Sequence, residues 1–321
     1  MPTLAIDLAL IGAAVLLAAL GGEAFLKAIL GIARQLRVPN AVVATTVAAF
    51  ATSSPELTVS TVAALAGQPE IGLGDALGSN VVNIALIFGI ALLFGPIRST
   101  RDDFGRDFIL ALLVPCMTLF FVLDGRIEQS EGGLLLLVFF IWLGVMLHAA
   151  LRYRQSALNC VSDSPTLGPL ATLAHGAFGL TALIAAGRLF VIGATGVASA
   201  FQIDTYVIGV LVVAIGTSLP ELVTVVLSRL RGHDDVGVGT LIGSNIFNGL
   251  LIVGVAASIH PISAPLAEIA VTLIAGVVAL LMLLPGKSGL IPCGRGLMLL
   301  ALYGIFVLAT LGAGHQPISF L

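Results

Sequence analysis

The sequence predicts an all-α polytopic membrane protein of ten transmembrane helices, arranged as two inverted five-helix repeats with the second and seventh helices broken. Three observations lead there. The 321 residues are 58% hydrophobic and only 10% charged, with a mean hydropathy of +1.13. The rare polar residues recur in register 165 positions apart. In each half, at Glu56 and at Glu221, a carboxylate follows a proline and a cluster of hydroxyls in the middle of an apolar run.

A helix needs roughly 20 apolar residues to cross a bilayer. Ten such stretches occur, at about 4–32, 38–66, 71–95, 107–124, 131–151, 168–198, 204–229, 236–259, 265–285 and 295–313. The first and sixth are long enough to cross at a strong tilt. The first has no basic leader and no small-residue cleavage site close behind it, so it reads as a retained span and not a signal peptide. Under this assignment one face of the membrane receives Arg34, Arg37, Arg98, Arg101, Arg106, Arg152, Arg154, Arg229, Arg231, Lys287 and Arg295, and the other receives only Arg126. That asymmetry puts the basic loops in the cytoplasm and both termini outside. No long hydrophilic insertion interrupts the chain, which leaves no room for a soluble catalytic or regulatory domain and suits a prokaryotic cytoplasmic (inner) membrane. Cys116, Cys160 and Cys293 lack metal-ligand spacing and argue against a disulfide framework. The arginines are spread over loops and offer no surface for nucleic acid.

Shifting the sequence by 165 residues lays Thr52 on Thr217, Ser53 on Ser218, Pro55 on Pro220 and Glu56 on Glu221. The same shift carries Gly78-Ser79-Asn80 onto Gly243-Ser244-Asn245, and Asn83 onto Asn248, without a gap. Apolar residues repeat easily by chance in such a composition; scarce polar residues in register do not. Five spans per copy is an odd number, so the second copy enters the membrane from the opposite side. The halves are 1–156 and 157–321, joined through the polar stretch 152–165.

In the first span, Glu23 and Lys27 stand one helical turn apart, and Arg188 is the repeat counterpart of Glu23, which opens the option of an ion pair between the two long helices. The second span contains Pro55, which lacks an N–H and crowds the preceding turn. The helix is expected to break around Ala51–Ser54 and restart with Ser53 or Ser54 as its cap. Carbonyls freed at Ala49 and Phe50 then need a cavity or an ion. A carboxylate at bilayer mid-depth costs roughly 3 kcal/mol, and carboxylate, hydroxyls and free carbonyls together are hard oxygen ligands of the kind that suit Ca²⁺ or Na⁺. The third span adds Ser79 and Asn83 on one face, copied as Ser244 and Asn248. Gly72-Leu73-Gly74-Asp75 matches the short GxGD string of intramembrane aspartyl proteases, but no partner aspartate lies in a span and the repeat equivalent of Asp75 is Thr240. Spans four, five, nine and ten read as scaffold.

With these residues in view, FATSSPEL and GDALGSNVVN, together with IGTSLPEL and GTLIGSNIFN, resemble the paired alpha-repeats of the cation/Ca²⁺ antiporter superfamily, in its sodium/calcium exchanger branch. The likeness extends over nearly the whole chain. It implies alternating access, in which the long first and sixth helices slide across a core of spans two, three, seven and eight. Carried over position by position, it implies ion ligands at Thr52, Ser53, Glu56, Ser79 and Asn83, and at Thr217, Ser218, Glu221, Ser244 and Asn248, with the carbonyls of Ala49 and Ala214. Ca²⁺ and Na⁺ would be transported substrates and not cofactors, and no organic cofactor or obligatory protein partner is implied beyond the lipid bilayer. The chain departs from the pattern at Ala51 and Ser54. Asn248 stands where potassium-dependent relatives have aspartate, which argues against K⁺ co-transport. A Ca²⁺/H⁺ exchanger using the same glutamates is the alternative; a cation channel and a hydrolase are further rivals, the last lacking any nucleophile–base pair.

Overall fold

The computed structural model describes residues 2–98, 101–157, 168–200, 214–264, 266–284 and 289–314. Among them, seven helices are long and apolar enough to cross a membrane: Leu4–Leu36, Pro69–Leu93, Gly105–Asp124, Gln129–Arg154, Pro169–Val197, Asp234–Ile259 and Cys293–Thr310. Three of the ten expected spans are not in that set. The second is divided at Ser53, and the ninth is a 17-residue helix, Leu266–Met282. Residues 204–213 of the seventh lie outside the described residues.

The chain begins with α1 (Pro2–Leu36). After it come α2 (Asn40–Val43), a π-helical stretch Ala44–Ala48, α3 (Ala49–Thr52) and α4 (Ser54–Leu65). A tight turn leads into α5 (Pro69–Val81), which runs through a π-helical stretch Val82–Phe88 into α6 (Gly89–Leu93). Strand β1 (Ile97–Arg98), helix α7 (Arg101–Phe121), strand β2 (Arg126–Ile127) and helix α8 (Gln129–Ala157) complete the first half. The second half contains α9 (Pro169–Ala200), α10 (Ala214–Thr217), α11 (Leu219–Leu230) and α12 (Asp234–Ile246). A third π-helical stretch, Phe247–Ile252, then precedes α13 (Val253–Ile259), β3 (Ile262–Ser263), α14 (Leu266–Met282), β4 (Leu290–Ile291) and α15 (Cys293–Gly314).

The turn joining α4 to α5 closes on Gly67 at φ 75°, and the turn joining α11 to α12 closes on Gly232 at φ 76°. Both are left-handed positions that glycine occupies without a Cβ penalty, and both return the chain as a close helical hairpin. A Cβ on Gly72 would strike Ser60, so α4 and α5 meet face to face there. The centre of the molecule is α5, α12 and the π-helical stretches after them. Every residue from Val236 to Ile246 on α12 is buried, as apolar side chains from α7, α8, α14 and α15 close around the pair.

Two small ladders tie the halves together. β1 pairs with β4 (Ile97 with Ile291), and β2 pairs with β3 (Arg126 with Ser263, Ile127 with Ile262), both antiparallel. Outside the core, α1 and α9 pack against each other along their lengths in antiparallel fashion, with Asp7 near Gly193, Gly21 near Ala182 and Gly31 near Thr172. Glycine lets the backbones approach where lipid supplies no hydrophobic drive toward association. Gln35 Nε2 closes one end of the pair with a 2.7 Å hydrogen bond to Thr172 Oγ1.

The sequence left open an ion pair between Glu23 and Arg188, and the structure pairs Glu23 otherwise. Glu23 takes Lys27 at 3.4 Å on its own helix and Arg231 Nη2 at 2.8 Å from the end of α11. Spans four and five also carry a polar contact that their composition did not announce. Asp107 on α7 is buried, accepts a 3.0 Å hydrogen bond from Trp142 Nε1 on α8, and lies 3.6 Å from Arg106.

The close approach of α1 and α9 makes a direct prediction. A Cβ on Gly179 would lie 2.5 Å from the Phe25 nitrogen and 2.8 Å from the Gly21 carbonyl oxygen, both backbone atoms that cannot turn aside. Gly179→Ala should therefore destabilise the protein by about 1–3 kcal/mol, read as a lower unfolding midpoint in detergent. Gly144→Ala, on the open face of α8 with nothing within 4 Å, should leave the midpoint unchanged or raise it.

Candidate cation-binding site

Pro55 and Pro220 explain the local geometry of both signatures. Each removes a backbone donor and pushes its ring at the turn before it, so the preceding helix stops. α3 ends at Thr52, Ser53 adopts φ −84° and ψ 6°, and α4 restarts with Pro55 in its first turn. α10 ends at Thr217, Ser218 adopts φ −86° and ψ 12°, and α11 restarts with Pro220 in its first turn. One consequence is shared. Glu56 and Glu221 both sit in the first turn of a helix, where unpaired N–H groups and the helix dipole favour negative charge.

The expected cap is not made. Neither Ser53 nor Ser54 caps α4 through its side chain. Ser54 Oγ instead donates to the Ala51 carbonyl at 2.7 Å, occupying the acceptor that Pro55 cannot serve. Ser53 Oγ reaches across to Glu221 Oε1 at 3.4 Å. The Ala49 carbonyl, expected to be free, accepts from Ser53 N at 3.0 Å and from Thr52 Oγ1 at 3.3 Å. A carbonyl oxygen has two lone pairs, and both are engaged here.

Around the two acids the surroundings are closed and oxygen-rich. Glu56 is 2% exposed and Glu221 is 1% exposed. The hydroxyls of Thr52, Ser53 and Ser244 face the Glu221 carboxylate, and of these Ser53 closes the hydrogen bond. Glu56 feels the negative charge of Glu221 and also of Asp75. Buried oxygens without a protein hydrogen-bond partner include Glu56 Oε2, Glu221 Oε2, Asn83 Oδ1, Asn248 Oδ1, Ser218 Oγ and Ser244 Oγ. Among the described residues, no lysine, arginine or histidine forms an ion pair with either glutamate. Buried carboxylates without a cationic side chain need a metal ion or protons for neutrality.

Of the other residues singled out by sequence, Ser79 is buried on α5 one turn before Asn83. Asn83 and Asn248 are each 1% exposed and lie within the π-helical stretches that follow α5 and α12. Ala214 opens α10. Thr217 lies at the wall of a cavity of about 490 Å³, with Ser54, Pro55, Thr58, Arg188 and Pro220. Arg188 thus faces the space beside the two helix restarts and not Glu23.

One acidic group escaped the sequence reading. The lack of a partner aspartate and the Thr240 equivalent argue against the protease motif, yet Asp75 Oδ2 is buried without a partner, near enough to Glu56 to act on it electrostatically. Its spacing was the available signal: Asp75, Ser79 and Asn83 succeed one another at four-residue intervals on one helix face. Asp75 does not join the glutamates in a three-acid metal cluster; none occurs among the described residues.

The chain and its fold are similar to known proteins. The profile of the sodium/calcium exchanger protein family matches residues 6–148 and 172–312. Inner membrane protein YrbG of Escherichia coli (strain K12) is 35% identical over 237 residues, covering 72% of this chain and 73% of YrbG. Sodium/calcium exchanger MaX1 of Methanosarcina acetivorans is 28% identical over 285 residues, covering 76% and 80%. A solved structure of the sodium-calcium exchanger NCX_Mj matches with a TM-score of 0.78 at 29% identity, over 95% of this chain and 99% of that one. MaX1 and NCX_Mj are named sodium/calcium exchangers, which are transporters and not enzymes. The chain is an integral membrane protein that belongs to the sodium/calcium exchanger protein family.

Proposed function

We propose that the chain is a secondary active antiporter that exchanges Na⁺ for Ca²⁺ by alternating access, with Glu56 and Glu221 binding the ions in turn. The observation that carries this reading is the pair of buried acids, one from each half, each keeping an oxygen without a partner and, among the described residues, neither paired with a cationic side chain. Glu56 and Glu221 would coordinate Ca²⁺. Thr52, Ser53, Ser79 and Asn83, with Thr217, Ser218, Ser244 and Asn248, would complete flanking Na⁺ positions. Ala49 and Ala214 would contribute through their carbonyls, although the Ala49 oxygen first has to release the Thr52 hydroxyl.

In the same reading the chain has ten spans in two inverted repeats, 1–156 and 157–321, with the second and seventh interrupted. Support comes from contacts between positions 165 apart, such as Asn80 with Asn245, and from the way each ladder joins a strand of one half to a strand of the other. Both termini lie outside a cytoplasmic membrane, as the arginine distribution favours. α1 and α9 then form the mobile pair, because they touch the rest of the molecule less than they touch each other.

Charge arithmetic gives the coupling. One Ca²⁺ neutralises two carboxylates, and three Na⁺ leave a single excess positive charge. Either load is tolerable in a low-dielectric site, whereas the empty, doubly ionised site is costly to carry past an apolar surface. Exchange is thereby favoured over leak.

Flux in sealed vesicles tests this. Ca²⁺ uptake driven by an outward Na⁺ gradient should fall about 100-fold or more on Glu56→Gln or Glu221→Gln, since each removes a charged ligand from a buried site. Uptake unchanged in both variants would sink the reading. An inside-positive potential should accelerate Na⁺-driven Ca²⁺ uptake, because three charges leave for every two that enter. A pH gradient imposed without Na⁺ should drive no Ca²⁺ uptake; uptake under that condition would identify a Ca²⁺/H⁺ exchanger instead.

A further inference from the structure

At the centre of the molecule four asparagines form a closed brace between α5 and α12. Asn80 Nδ2 donates to the Asn245 backbone carbonyl at 3.4 Å, and Asn245 Nδ2 donates to the Asn80 backbone carbonyl at 3.4 Å. Asn248 Nδ2 donates to Asn80 Oδ1 at 3.1 Å, and Asn83 Nδ2 donates to Asn245 Oδ1 at 3.2 Å. Every bond has its copy on the other side.

The chemistry of the brace sets a direction. A backbone carbonyl can only accept, so the amide that meets it must present its NH₂. Asn80 and Asn245 are thereby oriented, and their side-chain oxygens are left pointing the other way. Those oxygens can in turn be met only by the NH₂ ends of Asn248 and Asn83. The last link is the informative one: Asn83 Oδ1 and Asn248 Oδ1 end up buried and without a partner. The two ends of an asparagine amide are nearly identical in shape, and a flip would present a donor where a cation needs an acceptor.

We infer that Asn80 and Asn245 are positioning residues for ion binding, each clamping the amide of the other half's asparagine so that Asn83 and Asn248 present oxygen, and not NH₂, to the cation. Both ends of Asn80 and of Asn245 are occupied, so neither is itself a ligand. The inference rests on the exchange reading above, in which Asn83 and Asn248 are ligands. It adds that ion affinity depends on residues that never touch the ion.

The decisive experiment is a double-mutant comparison in vesicles, with Ca²⁺ and Na⁺ half-saturation read separately and Glu56→Gln and Glu221→Gln run alongside. Asn80→Ala frees the Asn248 amide to rotate and should raise the half-saturating Ca²⁺ or Na⁺ concentration about tenfold, the loss of one oriented buried hydrogen-bonded group. Adding Asn248→Asp to Asn80→Ala should restore affinity, because a carboxylate offers oxygen from either end. Asn248→Asp alone should bind worse than the double variant, since its carboxylate then faces the Asn80 oxygen. A residue that merely supports packing would show no such rescue. Where Asn80→Ala does not fold, Asn245→Ala with and without Asn83→Asp asks the same question from the other side, and the Ca²⁺-induced rise in unfolding midpoint gives a second readout. Normal affinity in Asn80→Ala, or no rescue by Asn248→Asp, overturns the clamp. Unchanged uptake in both Glu56→Gln and Glu221→Gln overturns the exchange reading itself.

Discussion

Two carboxylates buried with no cationic partner among the described residues impose a condition that the surrounding structure answers piece by piece. Glu56 and Glu221 are both almost fully enclosed, and each retains an oxygen with no protein partner. Prolines one residue upstream interrupt their helices and set both acids in first turns, where backbone N–H groups favour their charge. Hydroxyls of Thr52, Ser53 and Ser244 turn toward Glu221. The tight hairpins at Gly67 and Gly232 fold α5 back along α4 and α12 back along α11. Without the acids, this much close packing of backbone around hydroxyls and amides would have no evident purpose.

Much of this arrangement was legible in the sequence, for a specific reason. In a chain so poor in polar residues, each one is expensive, and its recurrence at a fixed interval marks a shared location. That principle picked out Thr52, Ser53, Glu56, Ser79 and Asn83 together with their copies, and most of the span boundaries fall within a few residues of the described helices. What composition could not supply was direction. Ser53 looked like a helix cap and instead reaches Glu221. The Ala49 carbonyl looked free and is doubly engaged. Glu23 was weighed against Arg188 and pairs with Lys27 and Arg231. In each case a polar group had more than one acceptable partner, local or distant in sequence, and packing chose between them.

The two halves are similar without being equivalent. Asp75 stands where the second half has Thr240, whose hydroxyl is satisfied by the Val236 carbonyl of its own helix. The carboxyl group is therefore present in the first half alone. Glu23 and Arg188 differ more sharply, an acid matched with a base at corresponding points of α1 and α9. Such departures are where a duplicated architecture can treat its two openings differently, since residues on the symmetric core must serve both.

The paired strands bear on how the molecule is made. Ile97 finds its partner at Ile291, and Ile127 finds its own at Ile262. During synthesis the earlier strand of each couple emerges long before the later one, so its backbone groups stay unmatched through most of translation. Joining ends so distant along the chain is entropically slow. Maturation is thus ordered in time: the early helices must reside in the bilayer as an open assembly, and the last strand to arrive closes it.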